Sequence, residues 1–370
     1  MNSQAIGAGQ LQPAHDLQSV AASRGELVLR ADELSKDFKL GRGQILHAVR
    51  DVSFGLYKSA VVALVGESGS GKSTVARMLA GQESVSSGKI WLNGEAVQPS
   101  RGGEFRRYKS EVQLVFQDPF SSLNPAHTVR YDIERPLRLH HHSLSREQVR
   151  EAAVDLMQQV RLTPPEKFLA SYPHELSGGQ RQRVSFARAL AAQPRVLLAD
   201  EPVSMLDVSI RLEMLSLLDD LRTSFSLAML YITHDIASAR YFADEVLVMY
   251  AGQIVERGAA EDVTQQPAHP YTQLLVSSAP DPDNLGGGLR ELPGESGAGT
   301  GSATEIAGRN TPVVIGCPFS DRCPFVADKC RAENPPLLQL SASRAAACWR
   351  IDVAAPAVLA GREGGDDLTN

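Results

Sequence analysis

Residues 66–73 read Gly66-Glu67-Ser68-Gly69-Ser70-Gly71-Lys72-Ser73, and Thr74 follows them. This is the pattern of a phosphate-binding loop, and it comes directly after the apolar run 61–65, which is typical of a buried parallel strand. The glycines let backbone N–H groups face phosphate oxygens, and a helix that begins near Lys72 adds the positive end of its dipole. We therefore predict that Lys72 reaches the β- and γ-phosphates of a nucleotide and that the Ser73 hydroxyl binds Mg²⁺.

A second apolar run, residues 196–199 after Arg195, ends in two consecutive carboxylates, Asp200 and Glu201. Successive residues of a strand point in opposite directions, so the two carboxylates are expected to have different roles. We predict that Asp200 holds Mg²⁺ through water and that Glu201 polarises the attacking water as a general base. The alternative is a solvated acidic end of a strand.

The sequence contains four more motifs, and with them the chain resembles the nucleotide-binding subunits of ABC transporters. The motifs are Val115-Phe116-Gln117-Asp118-Pro119, Leu176-Ser177-Gly178-Gly179-Gln180, Ser204-Met205-Leu206-Asp207 and Thr233-His234-Asp235. The resemblance implies an α/β fold, namely a P-loop NTPase cassette with a RecA-like core, an antiparallel β-subdomain and a helical subdomain that carries the second motif.

The resemblance also implies roles for single residues. Gln117 would sense Mg²⁺ and the attacking water, and His234 would contact the γ-phosphate. Phe38 would stack on the adenine, and Asp207 would lie in the loop that crosses a dimer of cassettes. The predicted nucleotide contacts are Phe38, Gly66–Thr74, Gln117, Ser177–Gln180, Asp200 and Asp207, of which Ser177–Gln180 would face the ATP held by the other cassette; Ser73, Gln117 and Asp200 would hold Mg²⁺.

Composition is that of an ordinary globular protein: 370 residues, a formal net charge of −6, 43% hydrophobic and 22% charged residues. No run approaches the roughly 18 apolar residues that a membrane helix needs, and no signal peptide is visible. A transmembrane path is therefore expected from other chains, with this one peripheral at the cytoplasmic face of the membrane. The mildly acidic balance argues against nucleic acid as the main partner.

The chain divides into four parts. We predict a disordered tail over 1–25, a nucleotide-binding domain over 26–260 with its helical subdomain at about 118–175, an extension over 261–350, and a second disordered tail over 351–370. Residues 280–311, rich in Gly, Pro, Ser and Asp, indicate a linker inside the extension.

All four cysteines lie in the extension, at Cys317, Cys323, Cys330 and Cys348. A shared metal is favoured over disulfides in a cytosolic chain, but the spacing favours neither zinc nor an iron–sulfur cluster, and free buried thiols are a third possibility. The extension, with its motifs at 269–271 and 317–319, resembles that of oligopeptide, dipeptide and nickel importer ATPases. That resemblance implies a [4Fe–4S] cluster on the four thiols.

The sequence therefore predicts an ATPase that supplies energy to an ABC importer. The resemblance implies a second ATPase subunit, identical or different, two transmembrane permeases and, indirectly, an extracytoplasmic substrate-binding protein. Oligopeptides or dipeptides are the expected cargo, with nickel and oligosaccharides as alternatives. A non-transport ABC ATPase would be expected to carry two cassettes or a long coiled-coil insertion, and this sequence has neither. Arg135 stands where the family commonly has Glu, in a segment that neighbours the permeases, and is either a determinant of partner choice or a tolerated surface change.

Overall fold

The computed structural model describes residues 12–13, 25–41, 44–97, 103–118, 123–278 and 315–360. The predicted linker 280–311 lies outside the described residues, as does most of the predicted tail 1–25. Within that tail, the backbone of Pro13 forms an isolated bridge with Leu338.

The strands of the described part form two sheets. In chain order they are β1 (Leu27–Gly41), β2 (Gln44–Tyr57), β3 (Val61–Val65), β4 (Ser87–Leu92), β5 (Glu95–Val97), β6 (Val112–Val115), β7 (Val196–Asp200), β8 (Ala228–Thr233), β9 (Glu245–Tyr250), β10 (Gln253–Ala259), β11 (Leu338–Ser341) and β12 (Arg344–Ala346). One sheet has the order β2-β1-β4-β5 and is antiparallel, and the other has the order β11-β12-β10-β9-β3-β8-β7-β6.

Helices cover the second sheet and form a separate group after β6. In chain order they are α1 (Lys72–Leu79), α2 (Gly103–Glu111), α3 (Val129–His140), α4 (Arg146–Gln159), α5 (Pro165–Ala170), α6 (Gly178–Leu190), α7 (Val208–Phe225), α8 (Ile236–Phe242), α9 (Ala260–Gln265), α10 (Pro270–Ser277), α11 (Asp328–Ala332), α12 (Ile351–Ala354) and α13 (Pro356–Ala360). Single 3₁₀ turns occur at Pro173–Glu175 and Ser320–Arg322.

The centre of the large sheet is parallel and fully buried. Strands β6, β7, β8, β3 and β9 run parallel to one another, and every residue of β3, β7 and β8 is buried. Strands with helices on both faces read as continuous apolar runs, which is why 61–65 and 196–199 stand out in the sequence. Because the carboxyl ends of parallel strands meet on one side of a sheet, the loops after β3, β6, β7 and β8 are brought together there.

The C-terminal extension continues the large sheet. Strand β12 pairs antiparallel with β10, and β11 pairs with β12. The fully buried carboxylate of Glu256 accepts hydrogen bonds from the backbone N–H groups of Ala268 and His269 and from Arg344 Nη2, at 2.8–3.1 Å. A buried charge that is this well paired ties the extension to the sheet, because removing one partner would leave the other charge buried and uncompensated.

Residues 351–360, which the sequence analysis assigned to a disordered tail, are helical. They form α12 and α13, and Ile351 is fully buried in a small apolar cluster with Leu338 and Ala355. The segment is ordered because its apolar residues have the underside of β11 and β12 to pack against, a surface that does not exist until the extension folds.

Acidification is expected to destabilise the fold through His269. This residue caps α10 with its ring, its Nδ1 accepting from the N–H of Tyr271 at 3.0 Å, and complete burial lowers its pKa to about 3. The unfolded chain then binds a proton below the ordinary histidine pKa of about 6.5 that the folded chain does not bind, so stability falls as the pH falls. Between pH 7.5 and 5.5 the loss from this one group is about 1.4 kcal/mol.

The measurement is urea unfolding of the wild type and of His269→Asn at pH 5.5 and 7.5. Asparagine keeps an acceptor at the cap but does not titrate, so the stability gap between the two proteins should narrow at pH 5.5 by about the amount above. The same substitution at the exposed His174 serves as the control. A gap between wild type and His269→Asn that is the same at both pH values would contradict the prediction.

Candidate functional site

The glycine-rich loop 66–71 connects β3 to α1 at the carboxyl end of the sheet. At two positions of the loop, a side chain is excluded for steric reasons. A Cβ on Gly66 would lie 2.2 Å from the carbonyl oxygen of Met249, and Gly71 has φ = 105°, with its missing Cβ 2.4 Å from the carbonyl oxygen of Ala48. The loop is therefore held between β9 and β2 in a curled shape that leaves its N–H groups at the N-terminus of α1, a favourable place for an anion.

Lys72 is folded back onto the loop. Its Nζ donates to the carbonyl oxygens of Gly66 and Glu67, both at 2.8 Å, and the residue is 4% exposed. Burial lowers the pKa of Lys72, and the negative charges of Glu201, Asp200 and Glu67 oppose that shift. Beside it, the hydroxyl of Ser70 is buried without a hydrogen-bond partner among the described residues. A bound phosphate would satisfy both groups, so the loop fits a nucleotide.

Ser73 and Asp200 form the part of the site that suits a hard cation. Ser73 Oγ donates to Asp200 Oδ1 at 3.0 Å, across the gap between α1 and β7. Burial raises the pKa of Asp200, the Ser73 hydrogen bond lowers it, and the neighbouring Glu201 raises it. Oxygen ligands from a hydroxyl and a carboxylate beside bound phosphates are what Mg²⁺ prefers, so these residues fit the predicted ion.

The three predicted catalytic side chains converge on one oxygen atom. Glu201, directly after β7, accepts from Gln117 Nε2 at 2.9 Å, and its same oxygen lies 3.3 Å from His234 Nδ1. Gln117 follows β6 and His234 follows β8, so three parallel strands bring them together. Glu201 has φ = 46°, a left-handed conformation that is uncommon away from glycine, and strained backbone of this kind is frequent at active sites. A carboxylate held in this way can accept a proton from water.

The segment Ser177–Gln180 starts α6. Ser177 and Gln180 form a capping box, in which each side chain accepts from the other residue's backbone N–H, at 3.3 and 2.9 Å. Gly179 packs against α7, since a Cβ there would lie 3.2 Å from Ile210 and 4.0 Å from Leu206. The helix N-terminus and the exposed Asp207, at the cap of α7, therefore belong to one surface. Their predicted contacts with a nucleotide on another cassette remain predictions.

Phe38 lies on β1, in the antiparallel sheet, and its ring is half-buried. The ammonium group of Lys36 stands 4.8 Å from the centre of that ring. A partly exposed aromatic face is compatible with adenine stacking, which stays a prediction.

Two residues of the extension touch the loop, and the sequence analysis missed both. Tyr271 Oη accepts the N–H of Glu67 at 2.8 Å, and the guanidinium of Arg322 binds both carboxylate oxygens of Glu67 at 3.1 Å. These contacts join residues 204 and 255 positions apart. Local periodicity carries no signal for pairs so distant; only the exposed charges of Glu67 and Arg322 could have suggested an ion pair.

The prediction of a [4Fe–4S] cluster is wrong. Among the residues that the structure describes, which include all four cysteines, no group of three or more His, Cys, Asp or Glu side chains is arranged to hold a metal ion. The cysteines are free, and burial raises the pKa of Cys317 to about 11 and that of Cys348 to about 12.

In the described ranges, none of the helices combines the length and the apolar character that crossing a bilayer requires.

Fold and site together define a P-loop nucleotide-binding cassette, and the comparisons place it in a family. The model of the ABC transporter family matches residues 49–204, and that of the oligopeptide/dipeptide transporter C-terminal region matches residues 255–330. The chain belongs to the ATP-binding subunits of ABC transporters of this oligopeptide/dipeptide group. It is accordingly an ATPase, as its cassette motifs predicted.

Two relatives illustrate the likeness. The chain is 39% identical to the probable peptide ABC transporter ATP-binding protein y4tS of Sinorhizobium fredii, over 90% of this chain and 92% of that protein. It is 40% identical to the di/tripeptide transport ATP-binding protein DppF of Pseudomonas aeruginosa, over 88% of this chain and 98% of that one. Both alignments span the cassette and the extension.

A solved structure confirms the cassette fold. A dimeric ATP-binding cassette in a post-hydrolysis state, bound to ADP and Pi, superimposes with a TM-score of 0.57 and 28% identity, covering 63% of this chain and 98% of that chain. The uncovered share of this chain is consistent with the extension as an addition to the common cassette.

Proposed function

We propose that this chain is an energy-coupling subunit of a peptide importer, peripheral at the cytoplasmic face of the membrane. The observation that carries the proposal is the match of residues 255–330 to the C-terminal region of oligopeptide and dipeptide transporters. It occurs in a chain whose cassette gathers Gln117, Glu201 and His234 around one carboxylate oxygen. ATP hydrolysis in this chain would then drive movement of peptides through partner subunits.

Within the site, Glu201 acts as the general base for the attacking water. Gln117 and His234 hold its carboxylate in place, and His234 also reaches toward the γ-phosphate. Lys72 would leave its loop carbonyls for the phosphates. Ser73 and Asp200 would hold Mg²⁺, which would neutralise charge on the transferred phosphoryl group. Productive geometry depends on positioning, which is the main source of catalysis in phosphoryl transfer.

A second cassette completes the site. Ser177–Gln180 and Asp207 share a surface formed by the starts of α6 and α7. The solved cassette to which this chain is similar is a dimer, which supports pairing with a second cassette. The N–H groups of Gly178 and Gly179, at the start of α6, would bind the nucleotide of the partner ATPase, which is either a second copy of this chain or a related subunit. ATP would close the dimer and hydrolysis would release it.

A groove beside the edge strand β6 suits a permease. Its cavity of about 350 Å³ lies between β6 and α3 and is lined by both apolar and charged residues. The lining includes Val112, Leu114, Lys109, Asp132, Arg135 and Arg188. Three cations and one carboxylate favour a cytoplasmic permease segment with apolar and acidic side chains, and Arg135 would contribute to that choice of partner. Gln117, two residues beyond β6, links the groove to Glu201.

The test is purification of the tagged full-length chain from native membranes in mild detergent, with mass spectrometry of the proteins that accompany it. We expect two permeases, a second ATPase subunit and, through them, a substrate-binding protein. Uptake of labelled dipeptides and oligopeptides in a deletion strain should be restored by the wild type and not by Glu201→Gln. Restored nickel or oligosaccharide uptake without peptide uptake, or recovery with ribosomes or DNA, would contradict the proposal.

A further inference from the structure

The C-terminal extension contacts the phosphate-binding loop through Glu67, the second residue of that loop. The Arg322 guanidinium makes a two-pronged ion pair with the Glu67 carboxylate, both N–O distances being 3.1 Å. Tyr271, which is fully buried at the start of α10, accepts the N–H of the same residue at 2.8 Å. Glu67 is therefore held from the extension by its side chain and by its backbone.

The third polar group of Glu67 faces the site. Its carbonyl oxygen accepts from Lys72 Nζ at 2.8 Å, so one residue stands between the lysine that binds phosphate and the two residues of the extension. The loop has glycine at 66, 69 and 71, which gives its backbone a freedom that the rest of β3 and α1 lacks. Fixing Glu67 removes much of that freedom before a nucleotide arrives, and a site ordered in advance loses less entropy on binding.

Packed aromatic rings hold the two contacting residues in place. Phe319 is 2% exposed and stands edge-on to Tyr250, with ring centres 5.4 Å apart, and 5.6 Å from Tyr271. The Arg322 guanidinium lies 5.5 Å from the Phe319 ring centre, which limits where it can point. Phe319 and Arg322 belong to the same short turn, so the position of Arg322 is set by the packing of Phe319 against β9 and α10.

We propose that Arg322 is a positioning residue for the phosphate-binding loop, through which the extension sets the affinity of this cassette for ATP. Arg322 does not touch the nucleotide; it fixes Glu67, and Glu67 fixes the loop. A cassette without the extension would bind ATP with a loop that must order itself first. This inference rests on the proposed function, since it assumes that the loop binds ATP for hydrolysis.

The test is steady-state ATPase kinetics and binding of a fluorescent ATP analogue with the full-length chain. Arg322→Ala should raise the KM and the Kd for ATP roughly threefold to fivefold, the range of a partly exposed ion pair, and leave kcat within about twofold. Arg322→Lys keeps the charge without the paired geometry and should fall between wild type and Arg322→Ala. The control is Arg331→Ala, which removes an exposed arginine paired at 3.6 Å with Asp321 in the same extension.

Coupling to Glu67 is the decisive readout. In a Glu67→Ala background, Arg322→Ala should change the KM no further, because its partner is already gone. The same KM in Arg322→Ala as in Arg331→Ala would overturn the inference. So would an Arg322→Ala substitution that raises the KM equally in the wild-type background and in the Glu67→Ala background. A fall in melting temperature and kcat at unchanged KM would overturn it too, in favour of a purely structural role. A wild type that binds no ATP would instead refute the proposed function, and this inference with it.

Discussion

Glu201→Gln is expected to abolish most ATP hydrolysis, lowering kcat roughly 10²- to 10⁴-fold, the contribution of a general base. The amide has the shape of the carboxylate, so it can still meet Gln117 Nε2 through its oxygen, but it cannot take a proton from water. Binding of ATP should be retained, because Lys72 and the loop are unchanged. The measurement is phosphate release under saturating ATP, with binding of a fluorescent analogue determined on the same protein.

The matched control for this substitution is Glu147→Gln, the same change at an exposed position in the first turn of α4. It should leave both kcat and the binding of ATP at the wild-type values. Turnover in Glu201→Gln within about tenfold of wild type would show that another group accepts the proton, and the assignment of Glu201 as the base would be wrong.

Lys72→Met is expected to weaken ATP binding by about 10- to 100-fold. The methionine fills the buried channel of the lysine stem but brings no charge, and each hydrogen bond to a charged group is worth about 1.5–3 kcal/mol. The residue is 4% exposed, so the lost interaction is little screened by solvent. Binding of a fluorescent ATP analogue gives the affinity directly, and the rise in melting temperature on addition of ATP should shrink accordingly.

Lys109→Met is the control for this experiment. Lys109 is partly buried, and its ammonium group donates a hydrogen bond to the backbone carbonyl of Ala80. It lies in the groove beside β6 and not at the loop. If Lys72→Met left the ATP affinity unchanged, or if Lys109→Met reduced it as much, Lys72 would not be the residue that binds the phosphates. Taken together, the two pairs of variants separate binding, which depends on Lys72, from chemistry, which depends on Glu201.

The motifs predicted the centre of the fold well because each one is local. A buried parallel strand must be apolar and a phosphate loop must be rich in glycine, and residues 61–71 and 196–199 show these requirements in their own sequence. The resemblance to ABC ATPases then indicated the roles of the remaining motifs. What these patterns lack is the distance between residues that are remote in the chain.

Two predictions, the metal site and the C-terminal tail, differ from the structure because they depend on tertiary contacts, about which local sequence patterns carry no information. Four cysteines in one segment suggested a shared metal, but coordination depends on the tertiary arrangement of the thiols, and no group arranged to hold a metal ion is found among the described residues. Residues 351–360 have no strong helical period, and they are helical because Ile351 and Leu359 pack into a cluster that β11 and β12 provide. In both cases the surroundings decided the outcome.

By itself the sequence determined that this chain has a phosphate-binding loop motif, a carboxylate pair at the end of an apolar strand and the motifs of an ABC ATPase, since those features depend on residues close together in the chain. Only the tertiary structure decided that Gln117 and His234 meet on one oxygen of Glu201, that β12 extends the sheet of the cassette, and that Arg322 binds Glu67. Each of these contacts joins residues brought together by strand order and packing, and their energy depends on distances that no local pattern encodes.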